Sequence, residues 1–255
     1  QVWTDFDEYY GLFAVKGVDW DRSHAELRPR IDDDMSEAEL YELLVTMLEP
    51  LNDAHVTLYP ATDPALPRWS IDLVDGRFPA PPFSLALIED AYLDDVARLD
   101  AETLVGRLTP TIGYLHIPHF DAGGGDYRDA LDDALEHLDG VTGLVVDVRD
   151  NPGGYDTNAQ YVAGRFARDR RQYMRVRKRS GPERGQFGPR IDWYVAPTGD
   201  RQFTGPIALL TSHATQSAGE TFCLAMRERD DLVSIGDTTA GAFSDAILRE
   251  AGNGW

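Results

Sequence analysis

The sequence predicts an α/β protein with a helical N-terminal segment, a small β-rich insert and a core of alternating strands and helices. Three observations carry this. Residues 1–50 show helical spacing of apolar side chains, with a capping box at Ser36 and Glu39. Residues 60–82 hold six prolines and cannot continue either pattern. From Asp126 onward, near-continuous apolar runs alternate with helical stretches, which is how buried parallel strands and their crossovers read. The division that follows is 1–60 helical, 61–110 Pro-rich and β-rich, and 111–255 the α/β core, expected to be truncated at its C-terminal end.

Within the first segment, Val2, Phe6, Tyr9, Tyr10 and Phe13 fall on one helical face. Leu40, Leu43, Leu44, Met47 and Leu48 follow the capping box as a second apolar face, and Pro50 stops that helix. Leu51-Asn52-Asp53-Ala54-His55 then turns into a short strand. Short strands are expected at Phe83–Ile88, Ala91–Ala97, Leu104–Leu108 and Ile112–Ile117. In the core, Tyr127, Leu131, Ala134, Leu135 and Leu138 give a helix, and Gly143–Val148 a buried strand. A helix over about 156–167, an extended Arg-rich hairpin over 171–203 and a strand at Ile207–Thr211 come next. The chain then runs through a helix from Ser217 to Arg229 and a strand at Leu232–Ile235.

Composition excludes several function classes. The 255 residues carry 24 basic and 44 acidic side chains, a formal charge of -20, which argues against nucleic acid as a partner. No apolar run approaches the roughly 20 residues that span a bilayer. The one cysteine, Cys223, precludes an internal disulfide or a Cys-rich metal site and reads as a buried, inert thiol.

Two strand-to-helix turns could carry chemistry. In Thr211-Ser212-His213-Ala214-Thr215-Gln216-Ser217-Ala218-Gly219-Glu220 a serine opens a helix, where N–H groups and the helix dipole favour developing negative charge. The plainer reading of Ser217 is an N-cap. In Asp147-Val148-Arg149-Asp150-Asn151-Pro152-Gly153-Gly154 a glycine pair follows a buried strand, so both turns belong at the carboxyl edge of one sheet and should face each other. A base for the serine would be histidine. His24, His119 and His137 lie in polar or turn settings, His116 within a strand, and His213 only four residues from Ser217. His55 follows a helix stop beside Asp53.

Together these segments resemble the S41 family of tail-specific serine peptidases. Asp147 to Gly154 is similar to its D-x-R-x-N-x-G-G signature, Thr215 to Glu220 to its T-x-S-A-x-E, and Gly236 to Gly241 to its G-x-x-T-x-G. Leu51 to His55 resembles the L-x-D-x-H of tricorn-like members, which supplies their histidine. The resemblance implies a crotonase- or ClpP-like core of stacked βα units, hydrolysis of peptide or unfolded-protein substrates through an acyl-enzyme, and no metal or organic cofactor. It implies Ser217 as nucleophile, His55 as base, and N–H groups of Ala218 and of Gly153 or Gly154 as oxyanion donors. It also favours an extracytoplasmic location.

The departures are informative. Members with a Ser–Lys dyad carry the lysine where this chain has Ala242, and the only lysines are Lys16 and Lys178, which leaves His55. The 48 residues from Ala61 to Leu108 are too few and too Pro-rich for a PDZ module. The serine that precedes the histidine in tricorn is Ala54 here, and the acid member would fall after Trp255. Arg165–Arg184 carries nine basic residues against Asp169 and Glu183. Within it Arg175, Arg177, Lys178 and Arg179 could receive a substrate carboxylate, or form a solvated hairpin face. Interphotoreceptor retinoid-binding proteins share the fold and bind lipids without proteolysis, which gives a second reading. An acyl-transfer enzyme of the crotonase fold gives a third.

Overall fold

The computed structural model describes residues 1–71, 83–99, 103–121 and 126–255. The chain forms two compact units that are not sequential. The first combines Gln1–Pro79, Arg177–Ile191 and Ser244–Trp255; the second combines Ala80–Val176 and Asp192–Phe243. Residues 72–82, which include Pro79, Pro81 and Pro82 of the connector, lie outside the described residues, as does the side chain of Tyr127.

The first unit holds α1 (Val2–Tyr9), α2 (Phe13–Lys16), α3 (Trp20–Leu27), α4 (Glu37–Leu48) and a two-residue antiparallel pair, β1 (Thr57–Leu58) with β2 (Trp69–Ser70). The capping box forms: the Glu39 N–H donates to Ser36 Oγ, and the Ser36 N–H donates to Glu39 Oε2. Asp19 caps α3 by accepting the Arg22 N–H at 3.0 Å. The first helical face does not run as one helix. Tyr10 is extended, so the chain breaks before Phe13 and Tyr9 faces solvent. Phe6, Tyr10, Phe13 and the buried Trp20 still pack together with ring centroids 4.9–5.9 Å apart, because the bend carries Phe13 back over the same core. Trp255 closes this core, edge-on to Tyr41 at 6.2 Å with its indole N–H on Thr62 Oγ1.

The second unit is built on a six-stranded sheet in the order β10-β9-β6-β5-β4-β3. These are β3 (Asp94–Arg98), β4 (Leu104–Thr109), β5 (Ile112–His116), β6 (Gly143–Asp147), β9 (Ile207–Thr211) and β10 (Leu232–Gly236). The last four of them run parallel, with β3 and β4 added as an antiparallel edge. Helices α6 (Asp126–His137), α7 (Asp156–Gly164) and α8 (Ala218–Met226) connect the parallel strands, and β7 (Arg171–Val176) pairs with β8 (Ile191–Val195) outside the sheet. Val146, Leu209, Phe120, Phe166 and Phe222 fill the core, each fully buried.

The α/β class holds, but one element changes type. The strand expected at Phe83–Ile88 is a helix, α5 (Leu85–Tyr92), capped by Ser84 Oγ on the Leu87 N–H. Leu, Ala, Glu and Asp with a serine cap favour helix, and a short apolar run does not separate the two periods. Consequently the next strand starts at Asp94 and not at Ala91.

Candidate active site

β6 and β9 are parallel neighbours, with Asp147 opposite Leu210, so the turns that follow them leave the same sheet edge. Side chains and backbone tie the two turns together. Thr215 Oγ1 donates to the Val148 carbonyl at 2.7 Å, Ser212 Oγ to the Arg149 carbonyl, and the Gln216 N–H to the Asn151 carbonyl at 3.0 Å. Fully buried Asp147 holds Arg149 through both carboxylate oxygens and accepts the Tyr114 hydroxyl at 2.7 Å. Burial and that carboxylate raise the Tyr114 pKa well above its ordinary value, so the phenol stays a donor.

Asn151 organises the glycine pair. Its amide donates to the Ile117 carbonyl at 3.0 Å, and its side-chain oxygen accepts the Gly153 N–H at 2.8 Å. Gly153 has φ +106, and a Cβ there would lie 2.7 Å from the Ser217 Cβ and 3.0 Å from the Ala218 nitrogen. Gly154 has φ +129, and a Cβ there would lie 2.6 Å from the Asp121 nitrogen. Both positions therefore need glycine for backbone and for space. The sequence expectation that the glycine pair and Ser217 converge is met for Gly153. Its role is narrowed, because the Gly153 N–H is already engaged by Asn151 and cannot also meet an oxyanion. An Asn two residues before the N–H it binds is an Asx-turn, a signal readable from sequence.

Ser217 is half-buried at the start of α8 with φ 51 and ψ -120. Its side chain makes no cap hydrogen bond, so the N-cap reading of its hydroxyl does not hold. A non-glycine residue at positive φ is strained by about 1–3 kcal/mol and survives where neighbours over-determine it. Here they do: the Glu220 and Thr221 N–H groups donate to the Ser217 carbonyl, and Gly219 to that of Gln216. Buried Glu220 accepts the Gly241 and Ala242 N–H groups, each at 2.7 Å, which pins the third signature segment beside α8. Among the described residues the Gly154 and Ala218 N–H groups donate to no acceptor.

Cys223, on α8, is buried as expected, and burial, with Glu220 nearby, pushes its thiol pKa up to about 12. Native protein should therefore react with a thiol reagent at pH 8 only at the rate of unfolding. Prompt stoichiometric modification without denaturant would contradict this.

His55 lies in the first unit. The turn that carries it is an Asx-turn: Asn52 sits at φ 44, and Asp53 Oδ1 accepts the His55 backbone N–H at 3.1 Å. Asp53 Oδ2 accepts the Tyr10 hydroxyl at 2.9 Å and the Ser244 hydroxyl at 3.2 Å, and Ser244 Oγ is 3.4 Å from His55 Nδ1. Sequence reading missed Ser244, because no motif marks it. The other histidines are engaged elsewhere. His213 Nε2 lies 3.2 Å from Asp237, and buried His116 lies 2.7 Å from Asp150. The lysine position of dyad members is the buried Ala242.

The basic hairpin does not present four free cations. Arg179 donates to the Tyr10, Asp7, Gly181 and Pro182 carbonyls, so its expected role as a carboxylate anchor is withdrawn. Arg175 pairs with Asp192, Lys178 with Asp245 at 3.0 Å, and Arg177 lies over the Phe187 ring. These contacts favour the solvated-hairpin reading. Among the described residues no helix is long and apolar enough to cross a membrane.

The model of peptidase family S41 matches residues 111–255, and that of the tricorn protease C1 domain matches residues 1–49. The carboxy-terminal processing protease CtpB of Bacillus subtilis (strain 168) is 28% identical over 132 residues, 51% of this chain and 25% of that protein. The carboxy-terminal processing protease CtpA of the same strain is 27% identical over 126 residues, 49% of this chain and 25% of that protein. The chain thus spans about a quarter of the length of these curated relatives. A crystal structure of a proposed peptidase from Parabacteroides merdae ATCC 43184 superposes with TM-score 0.87 at 27% identity, covering all of this chain and 78% of that one. Mature CPAF shares the fold, with TM-score 0.68 at 11% identity over 94% of this chain and 82% of that one. With more than half of its length matched by the family model, and the signature segments assembled at one sheet edge, this chain belongs to peptidase family S41.

Proposed function

We propose that the chain is a serine peptidase that cleaves peptide bonds through an acyl-enzyme on Ser217. The observation that carries this reading is Ser217 itself: a strained, half-buried serine opening α8, uncapped, with Gly153 pressed against it. Ser217 Oγ attacks the scissile carbonyl carbon as His55 Nε2 takes its proton. The carbonyl oxygen becomes an oxyanion held by the Ala218 and Gly154 N–H groups, each worth about 2.7–4 kcal/mol of transition-state stabilisation. His55 returns the proton to the leaving amine. Water, deprotonated by His55, then releases the acyl group as a free carboxylate and restores the serine. The substrate class follows the curated relatives, which are named carboxy-terminal processing proteases: polypeptides cut toward a free C-terminus.

A fluorophosphonate should label Ser217 stoichiometrically, and the protein should hydrolyse unfolded polypeptide. His55→Ala should abolish both while His213→Ala leaves both. Loss on His213→Ala with His55→Ala mild would overturn the base assignment. Labelling absent alongside tight retinoid or lipid binding would favour the binding-protein reading. Turnover of thioesters but not peptides would favour acyl transfer.

A further inference from the structure

The position before His55, where the resemblance to tricorn would place a serine, is Ala54. The structure supplies a serine from 189 positions away. Ser244 Oγ lies 3.4 Å from His55 Nδ1 and 3.2 Å from Asp53 Oδ2, and Asp53 is 2% exposed. The direct Asp53–His55 approach is longer, 4.0 Å from Oδ1 to Nδ1.

We infer that Ser244 is a positioning residue that links the buried Asp53 carboxylate to His55 and fixes which ring nitrogen carries the proton. Hydrogen-bond directions carry this. An ionised carboxylate only accepts, so the Ser244 O–H points at Asp53. The lone pairs of Oγ are then left toward Nδ1, so a hydrogen bond across the 3.4 Å gap takes its proton from Nδ1. Nε2 remains unprotonated and is the basic end of the ring. Asp53 is itself held: Oδ2 accepts the Tyr10 hydroxyl at 2.9 Å, and Oδ1 accepts the His55 backbone N–H at 3.1 Å. Burial and the carboxylate raise the Tyr10 pKa well above its usual value, so the phenol stays a donor to it. Among the other charged groups near these residues, Lys16 donates to the Asn52 carbonyl at 2.8 Å. Arg179 donates to the Tyr10 carbonyl, and Lys178 pairs with Asp245 beside Ser244 in an exposed ion pair. Asp53 thus reaches His55 through one hydroxyl.

This rests on the reading of His55 as base, and its test includes a readout that does not need activity. Ring nitrogen chemical shifts of His55 in the free protein should show the Nδ1–H tautomer. Ser244→Ala should shift the population toward Nε2–H, because Nδ1–H loses its acceptor. Ser244→Thr, which keeps the hydroxyl, should retain the native tautomer. In hydrolysis, Ser244→Ala should lower kcat by about 10- to 100-fold with KM little changed. A native Nε2–H tautomer, or a tautomer unmoved in a folded Ser244→Ala protein, would overturn the inference. If the tautomer shifts as stated but His55→Ala remains active, the link stands and the base assignment falls.

Discussion

Replacing Ser217 by alanine is expected to lower kcat for peptide hydrolysis by roughly 10⁴- to 10⁶-fold while leaving substrate affinity and fold intact. Removal of a nucleophile leaves only what binding and the oxyanion donors contribute, which is why the residual rate does not vanish. The glycine variant separates chemistry from strain. Ser217 holds φ 51, a conformation that glycine adopts without penalty. Ser217→Gly should therefore be as inactive as alanine, yet more stable than the parent by about 1 kcal/mol, read as a rise in the denaturation midpoint. Equal midpoints for the alanine, glycine and parent proteins would mean that the turn stores no strain. Residual hydrolysis above about one-hundredth of the parent rate would move the nucleophile elsewhere.

Gly153→Ala should have the second-largest effect, and it should fall on activity and local order together. The new methyl would sit 2.7 Å from the Ser217 Cβ and 2.9 Å from the Gln216 carbonyl oxygen, at φ +106. Neither contact is with a flexible side-chain end, so one of the two turns must move. A displacement of about 1 Å at a reacting group can cost on the order of 10²-fold in rate. We expect a loss of at least that size in kcat, together with faster hydrogen exchange at the Gln216–Ala218 amides. Gly140→Ala is the control: it also has positive φ, but a Cβ there meets nothing within 4 Å, so its cost should be stability alone. A Gly153→Ala protein with parental kcat would show that the close approach to Ser217 is not needed for chemistry.

What was legible in the sequence has a common physical character: it is local. The Ser36–Glu39 capping box spans four residues. The runs at Gly143–Asp147 and Ile207–Thr211 are apolar enough to be inner strands, and they are: the first is buried at all but Val145, the second buried on one face and half-buried on the other. The site turns were readable because each follows such a strand. Leu85–Tyr92 was misread because eight residues of mixed apolar and acidic character satisfy both periods, and the deciding feature was one serine cap. The engagement of the Gly153 N–H was missed although Asn151, two residues earlier, announces it. Ser244 was of another kind. A lone serine in an exposed-looking stretch carries no pattern, and its meaning comes only from a contact 189 positions back along the chain.

That separation has a consequence for how the protein comes into being. The first unit is assembled from the beginning, the middle and the end of the sequence. On a ribosome adding about 5–20 residues per second, Ser244 emerges roughly 10–40 s after His55. Through that interval the Asp53 carboxylate has Tyr10 but not its second hydroxyl donor, and the Tyr41 ring waits for Trp255 to close over it. A nascent chain arrested before Ser244 would carry every signature segment from Asp147 to Gly241 and still lack the hydroxyl that lies 3.4 Å from His55 Nδ1. The first unit is thus completed only after synthesis has passed the α/β unit.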